Sequence, residues 1–373
     1  MPVSKSRDIL LDFVRGFAAL LVCAGHLRAA LFVDYSSADS VSYLSKMFYF
    51  LTGFGHQSVM VFFVLSGYLV GGSILYKKEI FWGEYLSKRI IRLWIVLVPA
   101  LVFTYLIDSY TRVLDENVLL GIYYSTINSG PSVNTPYSST FVTFFSNLLF
   151  LQNVNMPIFG SNGPLWSLSN EFWYYLLFPL LLVTFRKGNR NKVIYLIVVG
   201  LLFYWLPIHI LEGFVVWIFG VIAFHVNRKG YLNKKLAPIL FLMFGLALLI
   251  SRAGGSMMPN QWVEDIIIGG LFSLVISCQF RFENVNKVIK KGILLLSDIS
   301  YTLYLFHFPL VILIYTMFFS KKQMEFSLGG LCVYIMIILC LLIVSYLFWF
   351  LFERNTWKLQ KIAGGYLISN QNK

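Results

Sequence analysis

Two ionisable residues stand inside a stretch that is otherwise apolar enough and long enough to cross a bilayer. Arg15 and His26 lie within residues 9–32, and about 20 apolar residues span the hydrocarbon core. At about 100° per residue, their spacing brings the second side chain back to within roughly 20° of the first, so both share one helix face. Such groups commonly face a functional cavity, and histidine transfers protons near neutral pH. The pair predicts an intramembrane proton-transfer site; the alternative is a satisfied interior histidine beside a snorkelling arginine.

The composition indicates the environment in which this pair is held. The chain has 373 residues, of which 58% are hydrophobic and 13% are charged, and its mean hydropathy is +0.73. No soluble domain of this length needs so much apolar surface, so we expect an all-α polytopic integral membrane protein. The formal charge of +13 comes from short loops between apolar segments, so we expect membrane lipid, and no nucleic acid, as a partner. Neither a metal site nor a disulfide framework is expected, because no C-x-x-C pattern joins the cysteines Cys23, Cys278, Cys332 and Cys340.

Apolar segments along the chain predict about ten transmembrane helices. The first resembles the start of a signal peptide, but its apolar run is too long and has no small-residue cleavage site, so we expect a retained helix. An eleventh segment, 141–151, is short, and an uncharged loop follows it. The ten segments are 9–32, 57–76, 90–107, 165–185, 193–208, 210–226, 236–251, 265–280, 300–319 and 327–352.

Basic residues in the loops set the orientation, because cytoplasmic loops carry an excess of lysine and arginine. With ten spans and the N-terminus inside, both termini are cytoplasmic and the basic loop 186–192 is inside. A full crossing at 141–151 would put that loop outside, so we expect 141–164 to be an outer-side re-entrant or interfacial element. No linker divides the chain, so we expect a single membrane domain over 1–373 with no appended soluble domain. Of the 30 lysines and arginines, the predicted outer loops hold Arg28, Lys46, Arg112, Arg252, Lys321 and Lys322.

A basic cluster stands at the cytoplasmic end of the third predicted span, in the sequence YLSKRIIR. Arg89 and Arg92 are neighbours on a helix face, and Lys88 lies beside them. Two guanidinium groups can chelate phosphates, which makes the cluster a candidate site for an anionic cytosolic ligand. The alternative is that these basic residues only reflect the general excess of lysine and arginine at the cytoplasmic ends of spans.

An outer-side stretch combines a carboxylate with aromatic residues. Glu171 follows Trp166 in the sequence LWSLSNEFWYY. Trp and Tyr are typical of a membrane interface and also stack on sugar rings. Both residues are therefore candidates for a glycan site, with an ordinary carboxylate near a helix N-terminus as the alternative for Glu171.

Three more polar residues stand at informative positions. Ser66 precedes Gly67 in the second span, where small residues allow helices to approach closely; plain packing is the alternative there. His307 lies in the hydrocarbon region next to Pro309, so we expect it to face protein or a cavity. Glu353 closes the last span at the predicted inner face.

Five blocks of the sequence, in the same order, resemble those of the membrane-bound acyltransferase 3 family. The resemblance runs from about Arg7 to Arg354 and includes an arginine, ten residues and then a histidine in the first block. The terminal FERN departs from the family, which more often has Pro after Glu-Arg. This departure affects only the expected local role of Glu353. The blocks are LDFVRGFAALLVCAGH, VFFVLSGYL, KRIIR, LWSLSNEFWYYLLFP and SYTLYLFHFPL.

The resemblance implies transfer of an acyl group, usually acetyl, from cytoplasmic acyl-CoA to a hydroxyl of an extracytoplasmic or lipid-linked polysaccharide. Arg15 and His26 match the family's essential pair. Arg89 and Arg92 match its basic R-x-x-R motif, which is associated with holding the CoA end. The family's other recurrent polar positions are matched by Glu171, His307 and Glu353.

We therefore expect an acyltransferase of the bacterial inner membrane, with acyl-CoA (above all acetyl-CoA) as donor, a glycan or lipid-linked oligosaccharide as acceptor, and no metal. A neutral His26 would accept the proton of the sugar hydroxyl as its oxygen attacks the thioester carbonyl. Arg15 would line the path of the acyl donor. The alternatives are a transporter or flippase for lipid-linked sugars, whose helix-breaking signatures and internal repeat are not apparent, and a non-catalytic membrane assembly factor.

Overall fold

In the computed structural model, helices form the regular structure of the described residues, apart from isolated β-bridges such as Phe32 with Met324. The structure describes residues 7–38, 42–135, 137–186, 188, 190–253, 260–278, 285–319 and 322–371; Lys321 of the predicted outer loops lies outside them. The predicted all-α class is confirmed. In chain order the helices are α1 (Ile9–Leu31), α2 (Tyr43–Leu51), α3 (Gly55–Ser66), α4 (Gly72–Leu75), α5 (Trp82–Leu114), α6 (Glu116–Leu119), α7 (Tyr124–Ile127), α8 (Phe141–Leu148), α9 (Leu165–Thr184), α10 (Lys192–Trp205), α11 (Ile208–Lys229), α12 (Ala237–Ala253), α13 (Gln261–Ser277), α14 (Lys287–Phe318), α15 (Leu328–Leu351) and α16 (Thr356–Gln371).

Within the described residues, seven helical segments are long and apolar enough to cross a membrane, which identifies a multi-pass membrane protein. The predicted segments 165–185, 193–208 and 265–280 fall on α9, α10 and α13, which are not among these seven. Helix α8 has eight residues, a length of about 12 Å against the roughly 30 Å of a hydrocarbon core. The seven segments are Ile9–Leu31, Tyr43–Leu75, Trp82–Leu114, Ile208–Lys229, Lys234–Arg252, Lys287–Phe318 and Leu328–Ala363.

The local sequence explains where several helices begin and end. Ser42, Thr140, Asn260 and Ser327 each precede a helix, and their side-chain oxygens accept a backbone N–H of the first turn at 3.1, 3.2, 2.9 and 3.0 Å. These caps satisfy donors that the first helical turn leaves unpaired. Gly230 ends α11 with a φ of 68°, a left-handed conformation that glycine adopts without a steric penalty.

Contacts within the chain divide it into two compact units. The first comprises Met1–Ala18, His56–Ile80 and Asn170–Ser297, and the second comprises Ala19–Gly55, Phe81–Ser169 and Asp298–Lys373. Helices α1, α3, α9 and α14 therefore contribute residues to both units. The single membrane domain expected over 1–373 stays a prediction.

In the first unit, the chain passes very close to α11 where α3 gives way to a π-helical turn, Gly67–Gly71. A Cβ added at Gly67 would lie 1.9 Å from the carbonyl oxygen of Trp217, so only glycine permits this approach. The close packing that the sequence predicted for this small residue is confirmed. It also brings the Trp217 indole to Ser66, whose Oγ accepts the Nε1–H at 3.1 Å.

In the second unit, the loop after α8 is fixed to α5 by a buried carboxylate. Asp108 accepts hydrogen bonds from the backbone N–H and the hydroxyl of Ser161 at 2.7 and 2.6 Å. Gly160 precedes this contact with a φ of +62°, and a Cβ there would lie 2.4 Å from Asp108 Oδ2. Glycine is therefore required here for two reasons: the backbone is left-handed, and a side chain would collide with Asp108.

The same loop is also fixed to α14, at the position where a proline interrupts the helical hydrogen bonds. Pro309 has no N–H, so the carbonyl of Leu305, one turn earlier, loses its usual partner. The side-chain amide of Asn162 donates to that carbonyl at 2.9 Å. The helix thus continues through the proline, and the loop lies directly beside the turn that carries His307.

Candidate functional site

The histidine of the first block has a second histidine as its neighbour. In the second unit, the ring centroids of His26 on α1 and His307 on α14 are 5.5 Å apart, with an angle of 30° between the ring planes. The edge of Phe308 also packs against His26, at 4.9 Å between ring centroids. His26 is partly exposed, and among the described residues no hydrogen bond reaches either of its ring nitrogens. Its proton-accepting atoms are therefore available to a substrate.

His307, by contrast, is fully buried, with 0% of its surface exposed. Its Nδ1 lies 2.9 Å from the carbonyl oxygen of Leu303, one turn earlier on α14. Tyr304 packs nearby, with 6.1 Å between the ring centroids, and its hydroxyl pairs with that of Ser167 at 2.6 Å. The expectation that His307 faces protein or a cavity is met by this environment, and the pairing with His26 was not predicted.

Arg15 lies on the same continuous helix as His26, as predicted, and in the first unit Asp12 and Ser297 hold its guanidinium. Its Nη2 lies 3.0 Å from Asp12 Oδ1, and both Nε and Nη2 donate to Ser297 Oγ, at 3.0 and 2.6 Å. Arg7 also binds Asp12, at 2.8 Å. Two arginines therefore share the Asp12 carboxylate at the N-terminal end of α1.

Sequence reasoning missed Asp12 and Ser297 as partners of Arg15. Asp12 stands three residues before Arg15, a spacing that places two side chains on one helix face and could have identified it. Ser297 comes from α14, and no local signal links it to α1.

The structure brings two predicted residues, Glu171 and Ser66, together in the first unit. Ser66 Oγ donates to Glu171 Oε1 at 2.7 Å, and the Tyr175 hydroxyl donates to the same oxygen. Trp217 in turn donates to Ser66. Among the described residues no hydrogen bond reaches Oε2, so one carboxylate oxygen is oriented and the other remains available. Tyr175 follows Glu171 by one helical turn and was readable in sequence, whereas Trp217 was not.

The basic cluster lies at the N-terminal part of α5, in the second unit. Lys88 is exposed and pairs with Glu84. The Arg89 guanidinium lies 5.5 Å from the centre of the Tyr85 ring, and Arg92 is exposed. This surface carries three cationic side chains within two helical turns and can bind an anion without burying an unpaired charge.

The two remaining candidates also belong to the second unit. Glu353 Oε2 accepts a hydrogen bond from the Thr302 hydroxyl at 2.6 Å, which connects the turn after α15 to α14. Trp166, on the first turn of α9, is partly exposed. The structure thus pairs His26 with His307 and Glu171 with Ser66, and gives Arg15 and Glu353 partners outside the predicted set.

The fold and the site together define a class of protein. It is a multi-pass helical membrane protein that has an accessible histidine inside a span, next to a buried histidine. The family described as "Acyltransferase domain" matches residues 8–352. The chain belongs to the acyltransferase 3 family, as its five sequence blocks predicted.

Several named proteins are similar to this chain in sequence. Peptidoglycan O-acetyltransferase OatA of Listeria monocytogenes is 30% identical over 153 residues, which is 39% of this chain and 23% of that protein. O-acetyltransferase OatA of Staphylococcus aureus is 23% identical over 340 residues, 82% of this chain and 50% of that protein. Acyltransferase MdmB of Streptomyces mycarofaciens is 29% identical over 193 residues, 50% of this chain and 42% of that protein. The chain therefore spans half or less of these three relatives, and no solved structure matches it significantly.

Proposed function

We propose that this protein is a membrane O-acyltransferase that moves an acyl group, in the first instance acetyl, from cytoplasmic acyl-CoA to a hydroxyl of an extracytoplasmic or lipid-linked polysaccharide. Membership of the acyltransferase 3 family and the relatives named O-acetyltransferase support this proposal. The observation that carries it is the accessible His26, whose ring nitrogens have no partner among the described residues. The proposed location is the inner membrane of a bacterium, among its lipids.

The chemistry needs one base and balances without a cofactor. The acceptor hydroxyl gives its proton to a neutral His26 as its oxygen attacks the thioester carbonyl, forming a C–O bond. When the C–S bond breaks, the sulfur takes the electron pair, and the imidazolium returns the proton to give the CoA thiol. The products are the acyl ester of the sugar and free CoA.

The donor-binding role falls to Lys88, Arg89 and Arg92. CoA carries several phosphates, and guanidinium groups bind phosphate through charge-assisted, bidentate hydrogen bonds. The exposure of Lys88 and Arg92 and the location of all three at one end of α5 fit an anionic ligand that arrives from the aqueous phase. Arg15 is proposed to line the path of the acyl donor.

Replacing Arg89 and Arg92 together by alanine is expected to raise the KM for acetyl-CoA by at least about tenfold, because a hydrogen bond to a charged group contributes roughly 1.5–3 kcal/mol. The measurement is the initial rate of label transfer from acetyl-CoA in inverted membrane vesicles. Lys46→Ala, which removes a basic residue of the predicted outer side, is the matched control and should leave the KM unchanged. An unchanged donor KM with a raised acceptor KM would remove these arginines from the donor site.

We also propose ten spans with both termini in the cytoplasm. Support comes from the first unit, where the Arg186 guanidinium donates to the backbone carbonyls of Lys77 and Lys78, at 2.7 Å each. The loops after α4 and α9 therefore lie together. A full crossing at 141–151 would place these two loops on opposite sides of the membrane, so the contact favours the ten-span arrangement.

The re-entrant element proposed for 141–164 is supported within the second unit. Its two ends meet, because the Gly160 N–H donates to the Ser138 carbonyl at 2.8 Å. Between them, the Leu148 carbonyl accepts a hydrogen bond from Trp94 of α5 at 2.9 Å, whereas Ser161 binds Asp108. Trp94 and Asp108 are roughly 21 Å apart along the helix axis, so the segment follows α5 inward and returns.

Cysteine labelling tests this topology independently of the chemistry. In a cysteine-free background, a membrane-impermeant thiol reagent should label Asn155→Cys, but not Asn189→Cys, in intact cells; Asn189 lies outside the described residues. The reason is that the opposite arrangement puts the basic loop 186–192 on the wrong face, at about 1 kcal/mol per basic residue near an anionic leaflet. Labelling of Asn189→Cys alone would make 141–151 a true crossing.

A single assay separates acyl transfer from the alternative functions. Labelled acetyl-CoA is supplied to vesicles that hold the protein, and the label is scored on glycan. Transfer that depends on the protein supports the acyltransferase. Movement of glycan across the membrane without label would favour a transporter or flippase. The absence of both label transfer and glycan movement would favour an assembly factor.

A further inference from the structure

The hydrogen bond between His307 and Leu303 fixes which ring nitrogen of His307 carries the proton. A carbonyl oxygen can only accept, so Nδ1, at 2.9 Å from it, must be the donor. A neutral His307 therefore has an unprotonated Nε2, with its lone pair free to accept. The proposed function gives no role to this nitrogen.

His307 Nε2 is also a buried polar atom without a hydrogen-bond partner among the residues that the structure describes. The whole residue is 0% exposed, so bulk water does not supply one. Native proteins rarely leave a buried acceptor unsatisfied, and each exception needs an explanation. Here the unsatisfied atom belongs to the ring next to the candidate base.

The ring geometry indicates which donor is suitable. Two imidazoles joined by an N–H···N bond of about 2.9 Å have centroids roughly 5.2 Å apart when the bond is in line. The His26 and His307 centroids are 5.5 Å apart and the planes are 30° from parallel, a separation too large for face-to-face stacking. This separation suits such a bond once the partly exposed His26 ring turns an N–H toward Nε2 of His307.

We propose that His307 is a positioning residue that accepts the ring N–H of His26 through Nε2. The bond fixes the tautomer of His26, so that the nitrogen facing away from His307 carries the lone pair that takes the substrate's proton. It also stabilises the imidazolium formed in that step, because a hydrogen bond to a charged donor is stronger than one to a neutral donor. This inference rests on the proposed role of His26 as the base.

Three substitutions at one position separate this role from simple packing. Gln places an acceptor oxygen near the position of Nε2, Asn places its polar group near Nδ1 and leaves Nε2 unreplaced, and Leu removes both. The rate of acetyl transfer should fall roughly 10- to 150-fold in His307→Asn and His307→Leu, as expected for the loss of a hydrogen bond to a charged group. His307→Gln should retain at least about a third of the activity. Thr316→Val, a buried hydroxyl lost from the same helix, should leave the rate unchanged.

Equal losses in His307→Gln and His307→Asn, with all variants at normal abundance, would overturn the proposal, since shape and not the acceptor atom would then matter. Wild-type activity in His307→Leu would overturn it as well. If wild-type protein transfers no more label than His26→Ala, the proposed function fails instead.

A spectroscopic measurement tests the pair without any turnover. The protein has five histidines, and replacing His56, His209 and His225 by glutamine leaves only the pair. Nitrogen NMR of ¹⁵N-histidine-labelled protein should show one ring with a protonated Nδ1 and a bare Nε2 that accepts a hydrogen bond, and His307→Gln should remove that signal. Two rings both protonated at Nε2 would contradict the assignment.

Discussion

Replacing His26 by alanine is expected to abolish acyl transfer, with a loss of at least about 100-fold, while the protein still inserts at normal abundance. General-base catalysis by a positioned side chain contributes roughly 10²- to 10⁴-fold. The neighbouring His307 also has a ring nitrogen without a partner among the described residues, but it is fully buried and does not replace His26 at the substrate. The His26 side chain is partly exposed, so truncation opens little new cavity in the core. The measurement is label transfer from acetyl-CoA to glycan, normalised to protein in the membrane.

The matched control for this substitution is His209→Ala. His209 is an exposed histidine near the start of α11, so its loss should leave transfer unchanged. If His26→Ala keeps even about a tenth of the wild-type rate, the loss is far below that expected for a missing base. His26 would then bind or position substrate, and another group would have to accept the proton.

How much of the site was readable from sequence depends on how far apart its residues stand in the chain. Arg15 and His26 could be placed on one face of α1 because helical periodicity is local, and Asp12 lies within the same reach. The pairs His26–His307 and Ser66–Glu171 join distant helices. Hydropathy marks which segments enter lipid but not which faces meet, so these contacts could be found only in the folded chain.

The helix boundaries show a related effect. The predicted span 90–107 is the apolar part of α5, which begins at Trp82 and ends at Leu114, and 300–319 covers only the later part of α14. Hydropathy detects the transfer of side chains into lipid, whereas a helix continues wherever its backbone hydrogen bonds are satisfied. Lys88, Arg89 and Arg15's partner Ser297 therefore lie on helices, in stretches that the apolar windows did not include.

The loop after α8 was recognised as unusual only through its charge pattern. Its anchors are Asp108, which binds Ser161, and the Leu305 carbonyl, which Asn162 satisfies beside Pro309. A proline inside a helix predicts an unpaired carbonyl one turn earlier. Which side chain would supply the missing donor depends on the path of a loop far away in sequence, and no local pattern indicates it.

Glu171→Gln is expected to reduce acyl transfer by roughly 10- to 150-fold, the range that corresponds to a hydrogen bond with a charged group. The amide oxygen can still accept from Ser66 and Tyr175, so the side chain keeps its orientation. The free position changes from an acceptor, Oε2, to an N–H donor. A substrate hydroxyl that donates to the carboxylate would therefore lose its partner, and the effect should appear in the rate measured at limiting acceptor.

Tyr175→Phe is the companion variant, because it leaves the carboxylate in place and removes only one of the two donors that orient it. Its loss should be smaller, about fivefold (roughly 1 kcal/mol), because Ser66 still orients the carboxylate and Oε2 is unchanged. Both variants are compared at equal abundance in the membrane, with the acetyl-CoA concentration saturating. A loss in Tyr175→Phe that equals or exceeds the loss in Glu171→Gln would show that the tyrosine hydroxyl, and not the free carboxylate oxygen, makes the contact that matters. Glu171 would then be a structural acceptor for Ser66 and Tyr175, as an ordinary carboxylate near the start of α9 would be.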